Sequence, residues 1–196
     1  GYMSRAAGLG AYMRYHGPVQ ACRIALLLRR LQDEGSWKPG QEMRVLDVGA
    51  GPCVGFWAMA LNGMGIGESW AMDRAWPALQ AGAQVLETLG RPPVRLIRAD
   101  IHESTRRWRP GQPADLIILS AVLNELGDAT RALERRLRVL RMLLDLLDRQ
   151  GALLIVEPGT RVASQALGRL RDLVLETGLA SVVSPCPRVG KCPMAK

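Results

Sequence analysis

The sequence predicts an α/β domain, a mostly parallel sheet with helices on both faces. Three observations carry this. Short apolar runs of strand length alternate with stretches of helical periodicity from Met43 to Val183, the pattern of a doubly wound sheet. The first such run passes directly into a glycine turn, Arg44-Val-Leu-Asp-Val-Gly-Ala-Gly-Pro-Cys53. The chain has 196 residues and 48% apolar content, enough for one real core.

The elements follow in order. Val19 to Leu31 is a helix with apolar positions at Ile24, Leu27, Leu28 and Leu31, and Gly35 to Gly40 breaks it. Met43 to Val48 is the first strand, with a helix from about Pro52 to Asn62 behind it. Ser69 to Asp73 is the second strand, and Ala75 to Leu89 its helix, stopped by Arg91-Pro-Pro93. Val94 to Ala99 is the third strand. Ala114 to Ser120 is the fourth, and its Leu116-Ile-Ile-Leu119 run reads as buried on both faces. Asp128 or Thr130 caps a long helix to Arg149, with leucines 133, 137, 140, 144 and 147 in one stripe. Gly151 to Glu157 is the fifth strand, Val162 to Thr177 a helix, and Leu179 to Val183 a final strand. Residues 1–40 form an N-terminal helical segment, 41–184 the α/β domain and 185–196 a cysteine-containing loop.

Right-handed crossovers place every strand-to-helix loop at one edge of the sheet, where ligands bind. The glycine turn puts bare backbone N–H groups and a helix N-terminus at that edge. Two ligands suit it, a dinucleotide and S-adenosylmethionine. The dinucleotide fingerprint wants G-x-G-x-x-G; Gly49 and Gly51 are in place, but the third position is Val54 and Gly55 comes one residue late. Pro52 follows the second glycine, at a helix start that tolerates a missing N–H. Asp47, just before the glycines, can accept hydrogen bonds from an amino acid's ammonium group, which a pyrophosphate ligand lacks. The pattern D-x-G-x-G-P therefore favours S-adenosylmethionine, with Asp47, Gly49, Ala50, Gly51 and Pro52 around its methionine part.

The later strand ends supply the rest. Asp73 lies 22 residues after Gly51, near the interval of about 20 expected for a ribose-binding acid; helix capping is its other reading. Asp100 and Ile101 can bond the adenine amino group and pack on its ring, or simply end a strand. Ser120-Ala-Val-Leu-Asn-Glu-Leu126 lies where the sulfonium and methyl acceptor would meet. Ser120 is taken as a cofactor contact, and Asn124 or Glu125 as the group that orients an acceptor; their plainer roles are a turn cap and a solvated acid. The Asn/Asp-Pro-Pro-aromatic tetrapeptide of amine methylation is absent. Methyl transfer needs mainly in-line positioning, so a missing catalytic base does not exclude activity.

Composition excludes other classes. The longest apolar runs are far too short to span a bilayer, and no charged-then-apolar secretory start is visible. Residue 1 is Gly, and both ends are read as incomplete. The two histidines, His16 and His102, make neither H-E-x-x-H nor a metal pair. The formal charge is +8, which suits a phosphate-rich partner such as RNA but equally an arginine-biased composition. Arg106, Arg107 and Arg109 around Trp108 are the densest basic patch, either an RNA contact or a solvated connection. Cys22 and Cys53 read as packing residues. Cys186 and Cys192, each followed by Pro with Gly190 between them, could hold a soft metal, but four ligands are normally needed.

Four segments occur together in this order: Leu46-Asp-Val-Gly-Ala-Gly-Pro-Cys-Val-Gly-Phe-Trp-Ala58, Leu123-Asn-Glu-Leu126, Val156-Glu-Pro-Gly-Thr160 and Val183-Ser-Pro-Cys-Pro-Arg-Val-Gly-Lys-Cys-Pro193. With them the chain, from about Tyr15, resembles the methyltransferase-like family of ribosomal small-subunit proteins of mitochondria and bacteria. The resemblance implies a Rossmann-like class I S-adenosylmethionine-dependent methyltransferase fold. It also implies association with small-subunit ribosomal RNA and proteins during assembly, with neither membrane nor DNA as partner. The location implied is cytoplasmic for a bacterial member and the mitochondrial matrix for a eukaryotic one. For mitochondrial members it implies a 4Fe-4S cluster, with Cys186 and Cys192 as two of its ligands. The chain departs from the family at Arg188, where His is usual, and at Cys53, where Gly is usual. It also lacks a later tryptophan–cysteine–histidine segment. A non-catalytic assembly factor and a small-molecule methyltransferase are the alternatives.

Overall fold

In the computed structural model, residue 3 and residues 5–101, 111–127, 130–187 and 190–191 are described. Five strands form one parallel sheet in the order β3-β2-β1-β4-β5. They are β1 (Met43–Val48), β2 (Ile66–Asp73), β3 (Arg95–Arg98), β4 (Ala114–Ser120) and β5 (Leu147–Val156). The helices are α1 (Ala6–Ala11), α2 (Gly17–Asp33), α3 (Val54–Leu61), α4 (Trp76–Thr88), α5 (Thr130–Leu144) and α6 (Arg161–Glu176); a π-helical turn, Tyr12–His16, joins the first two.

The inner strands β1 and β4 are apolar on both faces because helices cover both. Side chains alternate across a strand. Val45, Leu116 and Ile118 therefore enter one core layer with α2, α3 and α4. Leu46, Val48, Ile117 and Leu119 enter the other, with α5 and α6. Register is tight where the site lies, with Asp47 opposite both Ala71 and Ile118. At the opposite edge, Arg44 ties the start of β1 to Asp115 of β4 and reaches Asp148 of β5 at 3.7 Å.

The first and fourth strands have the predicted bounds. Other elements differ. The second strand starts earlier, at Ile66, and the N-terminal helix is longer. The long helix stops at Leu144, and Leu147 opens β5 instead of extending the leucine stripe. The fully inward positions of α5 are Ala132, Arg136, Val139, Leu140 and Leu143, while Leu133 and Leu137 are half-buried. Leu179 to Val183 is not a strand. An apolar run becomes a strand only if a neighbour takes up its backbone bonds; here Leu179 donates its N–H to Val174 and closes α6 instead. Asp128, one of the two expected caps of α5, lies outside the described residues.

Candidate cofactor site

The turn after β1 is left-handed at Gly49, Gly51 and Cys53, with φ of 67°, 51° and 61°. Glycine supplies such angles at no steric cost; Cys53 does so as a side-chain-bearing residue, an uncommon conformation. Gly49 has a second constraint, since a Cβ there would lie 2.3 Å from Val122 Cγ2. The Ala50 N–H donates to Met72 O at 3.0 Å, stitching the turn to β2.

Asp73, at the end of β2, holds the same turn with its side chain. Its Oδ2 accepts the Gly51 N–H at 2.8 Å, and its Oδ1 accepts the Ala75 N–H at 2.7 Å at the start of α4. An ionised carboxylate offers about four acceptor positions, so about two remain. Asp73 lines a solvent-open cleft at the carboxyl edge of the sheet, together with Gly49, Arg74, Asp100, Ile101, Val122 and Glu125, among others.

Asp47 sits behind the turn, 1% exposed. Its Oδ2 accepts the Gly55 N–H at 3.0 Å, and its Oδ1 is buried with no hydrogen-bond partner. A Cβ on residue 55 would lie 2.7 Å from Oδ2. Gly55 thus performs the close helix–strand packing of a third glycine, one position later than the dinucleotide pattern puts it. Burial pushes the Asp47 carboxyl up to about 7; the Gly55 bond opposes this and the nearby Asp73 charge adds to it. Burial also pushes the Cys53 thiol far up, which suits a packing residue and not a nucleophile.

Ala50, Gly51 and Pro52 are buried under their surroundings and are not among the cleft's lining residues. Pro52 is pressed against α4, where a Cβ on Gly82 would lie 2.2 Å from its carbonyl. Met3, Leu9 and Met13 pack with Ala75 and Ala78 at the start of α4, beside the outer side of the turn. A lone glycine inside a helical pattern carries no partner information, so this contact of Gly82 has no signature in the sequence.

The loop after β4 is built differently. Glu157, at the end of β5, accepts three backbone N–H groups: Val122 at 3.1 Å, Leu123 at 2.9 Å and Asn124 at 3.0 Å. Arg136, 7% exposed on α5, grips the same turn from the other end. It donates to Leu123 O at 3.0 Å and Gly127 O at 2.8 Å. Burial raises the Glu157 carboxyl's affinity for protons, against those N–H bonds and the Arg136 charge. Ala121 is left-handed, φ 56°, where the chain leaves β4. In the sequence the signal for Arg136 is an arginine standing in the apolar stripe of an amphipathic helix.

The two acceptor-orienting candidates part company. Glu125 lines the main cleft and pairs with Arg74 at 3.1 Å across its mouth. Asn124 lines a separate small cleft with Glu157, Arg136 and α6. Ser120 accepts a hydrogen bond from Gln20 of α2 at 2.8 Å and is not on the main cleft.

Of the proposed metal ligands, Cys186 is exposed and carries a free thiol, and Arg171 of α6 donates to its carbonyl at 3.4 Å and to Gly190 O at 3.0 Å. Cys192 and Arg188 lie outside the described residues, as do His102 and the Arg106–Arg109 patch. Among the described residues no three His, Cys, Asp or Glu side chains group as a metal site. The described residues therefore do not make up a cluster site. No described helix is long and apolar enough to cross a membrane.

This sheet order, with a glycine turn after β1, an acid ending β2 and another shortly after β3, defines the fold of the class I S-adenosylmethionine-dependent methyltransferases. The chain belongs to the Rsm22 family, described as mitochondrial small ribosomal subunit Rsm22, whose model matches residues 10–196. No curated protein sequence matches it. Solved structures agree on the fold. A S-adenosylmethionine-dependent methyltransferase from Clostridium acetobutylicum is 14% identical with a TM-score of 0.54, over 75% of this chain and 55% of that one. The plantazolicin methyltransferase BpumL, in complex with a pentazolic desmethylPZN analogue and SAH, is 15% identical with a TM-score of 0.56, over 93% and 61%. The magnesium protoporphyrin IX methyltransferase of Synechocystis, with bound S-adenosylmethionine, is 17% identical with a TM-score of 0.50, over 80% and 68%. The chain spans less than two thirds of the first two of these proteins.

Proposed function

We propose that the chain binds S-adenosylmethionine in the cleft at the carboxyl edge and acts as a methyltransferase on small-subunit ribosomal RNA during assembly. The observation that carries this is Asp73. Its carboxylate lines the cleft while bonded to the Gly51 and Ala75 N–H groups, which hold it ready for the two ribose hydroxyls. Asp100 and Ile101 beside it take the adenine edge and face. Gly49 leaves room for the methionine part, and Asp47 supports that end from behind the turn with an unpartnered buried oxygen. The donor set fits an adenosyl amino acid: acids for hydroxyl and amino groups, an apolar wall for the ring, and a floor without a side chain.

The bound cofactor supplies an already activated methyl group, so the protein's work is to bind, align and exclude water. Ala121 and Val122 border the end of the cleft nearest β4, where an acceptor base would enter. Glu125 pairs with Arg74 across the mouth of the cleft, and Asn124, whose backbone N–H bonds Glu157, borders the second, smaller cleft. The second reading is a factor that binds the cofactor and assembles the subunit without turnover. The family description supports mitochondria as the location.

Calorimetric titration of S-adenosylmethionine, followed by a labelled-methyl assay on small-subunit particles, tests these readings. Binding with methyl incorporation into ribosomal RNA is expected. Binding without incorporation selects the second reading, and no binding refutes the pocket.

A further inference from the structure

The positive charge of this chain is uneven. Its first 32 residues hold five arginines, no lysine, no aspartate and no glutamate, in a chain of formal charge +8. Most of this stretch is α1, the π-helical turn and α2. Arginine-rich, acid-free composition also marks cleavable targeting segments, but α2 is part of the core. Ile24 and Leu28 are fully buried, and Asn62 of the α3 end donates to Ala25 O at 2.8 Å.

The outward face of the π-helical turn and α2 is unusual. Tyr15 is 71%, Val19 51% and Leu26 68% exposed. Their spacing of four and seven residues sets them in one stripe. Arg30 is occupied by Glu34 at 2.6 Å. Arg14, Arg23 and Arg29 are exposed and form no ion pair with any described residue. The first acid on the helix is Asp33, at its far end. Gln20, the neighbour of Val19, ties the helix to Ser120 at the end of β4, next in sequence to the cleft-lining Ala121 and Val122.

An apolar stripe alone does not say what covers it; the arginines do. Unpaired guanidinium groups favour phosphate, and an exposed tyrosine ring offers a stacking face to an unpaired base. We propose that the outer face of α2 is a docking track for single-stranded or looped RNA, leading to the end of β4 and so to the cleft. The track rests on the ribosomal-RNA reading above and adds to it the surface that receives the strand.

The test is binding of a labelled single-stranded RNA and of small-subunit ribosomal RNA over a salt series, with S-adenosylmethionine titrated in parallel. Replacing Arg14, Arg23 and Arg29 together by Gln should flatten the log–log salt slope by about 2, since each phosphate contact on a single strand contributes about 0.7. Tyr15→Ala should weaken binding roughly tenfold at unchanged slope. Cofactor affinity should stay the same in both variants. Arg135, Arg138 and Arg141 are exposed on α5, and their joint replacement by Gln should leave the slope intact. An unchanged slope in the α2 variant, or a loss that follows the α5 variant instead, overturns the track. So does arginine-dependent binding to phosphatidylglycerol vesicles or polyglutamate in preference to RNA. RNA binding that depends on α2 in a chain that ignores S-adenosylmethionine supports the track and removes the cofactor reading, so the two failures are separable.

Discussion

The loops that follow the two inner strands are held in parallel ways to different ends. Each contains a left-handed residue that is not glycine, Cys53 at the start of α3 and Ala121 directly after β4. Each is tied by a carboxylate from the next strand outward, Asp73 from β2 and Glu157 from β5. The difference lies in what remains. Asp73 accepts two N–H groups and faces the cleft. Glu157 accepts three and carries a raised proton affinity from burial, and Arg136 grips the same loop from beyond through the Leu123 and Gly127 carbonyls. A carboxylate with acceptor capacity left over can serve a ligand; one whose capacity is taken up by backbone serves the scaffold. Similar chemistry at neighbouring strand ends is thus divided between binding and support.

The largest effect is expected at Glu157. Glu157→Ala leaves three N–H groups without their acceptor and the Arg136 charge without its counterpart, and should cost about 3–5 kcal/mol. Urea unfolding reads this directly. A loss below about 1 kcal/mol would mean that Arg136 alone holds the turn.

Next in size is Asp47, the third carboxylate of the region. Its folded pKa of about 7 stands above the ordinary value of 3.8. Between those values the native state keeps a proton that the unfolded chain has lost. Its contribution to stability therefore falls as pH rises through that window, and the full penalty is present above about pH 7. Asp47→Asn should remove the decline. Compared at pH 5 and pH 8, the wild type should lose roughly 2–4 kcal/mol more than the variant. Parallel stability–pH curves for the two proteins would rule out a raised Asp47.

Asp73→Ala should show the opposite balance to Glu157→Ala. It removes two backbone acceptors in a partly solvated place, so about 1–2 kcal/mol of stability is expected to go. Cofactor affinity should fall at least about a hundredfold, from two lost charge-assisted bonds of about 1.5 kcal/mol or more each. Calorimetry that found affinity unchanged while stability dropped would make Asp73 a second Glu157 and end the distinction. The smallest effect is expected at Glu125, whose pairing with Arg74 is exposed on both sides. Glu125→Gln should shift stability by no more than about 0.5 kcal/mol. A larger shift in thermal unfolding would show that the pair closes the cleft.

Much of this was legible in order along the chain. The alternating apolar runs give the parallel sheet, and β1 and β4 have their predicted ends because each carries an apolar run that helices bury on both faces. Gly49, Asp73, Asp100, Ile101 and Glu125 do meet at one cleft, since a parallel sheet brings all its strand ends to one edge. What local pattern could not supply was who bonds whom. Asn124 and Glu125 are adjacent in sequence yet border different clefts. Ser120 is taken by Gln20, 100 residues away. Leu179 to Val183 has strand composition and no strand partner.

The sequence by itself determined the architecture, the glycine turn and the family, because these depend on residue types at short spacings. Only the tertiary structure decided which carboxylates support the loops and which one keeps capacity for a ligand. A carboxylate's role depends on which donors come within hydrogen-bond reach and how much water remains, and both are set by chain segments tens of residues apart.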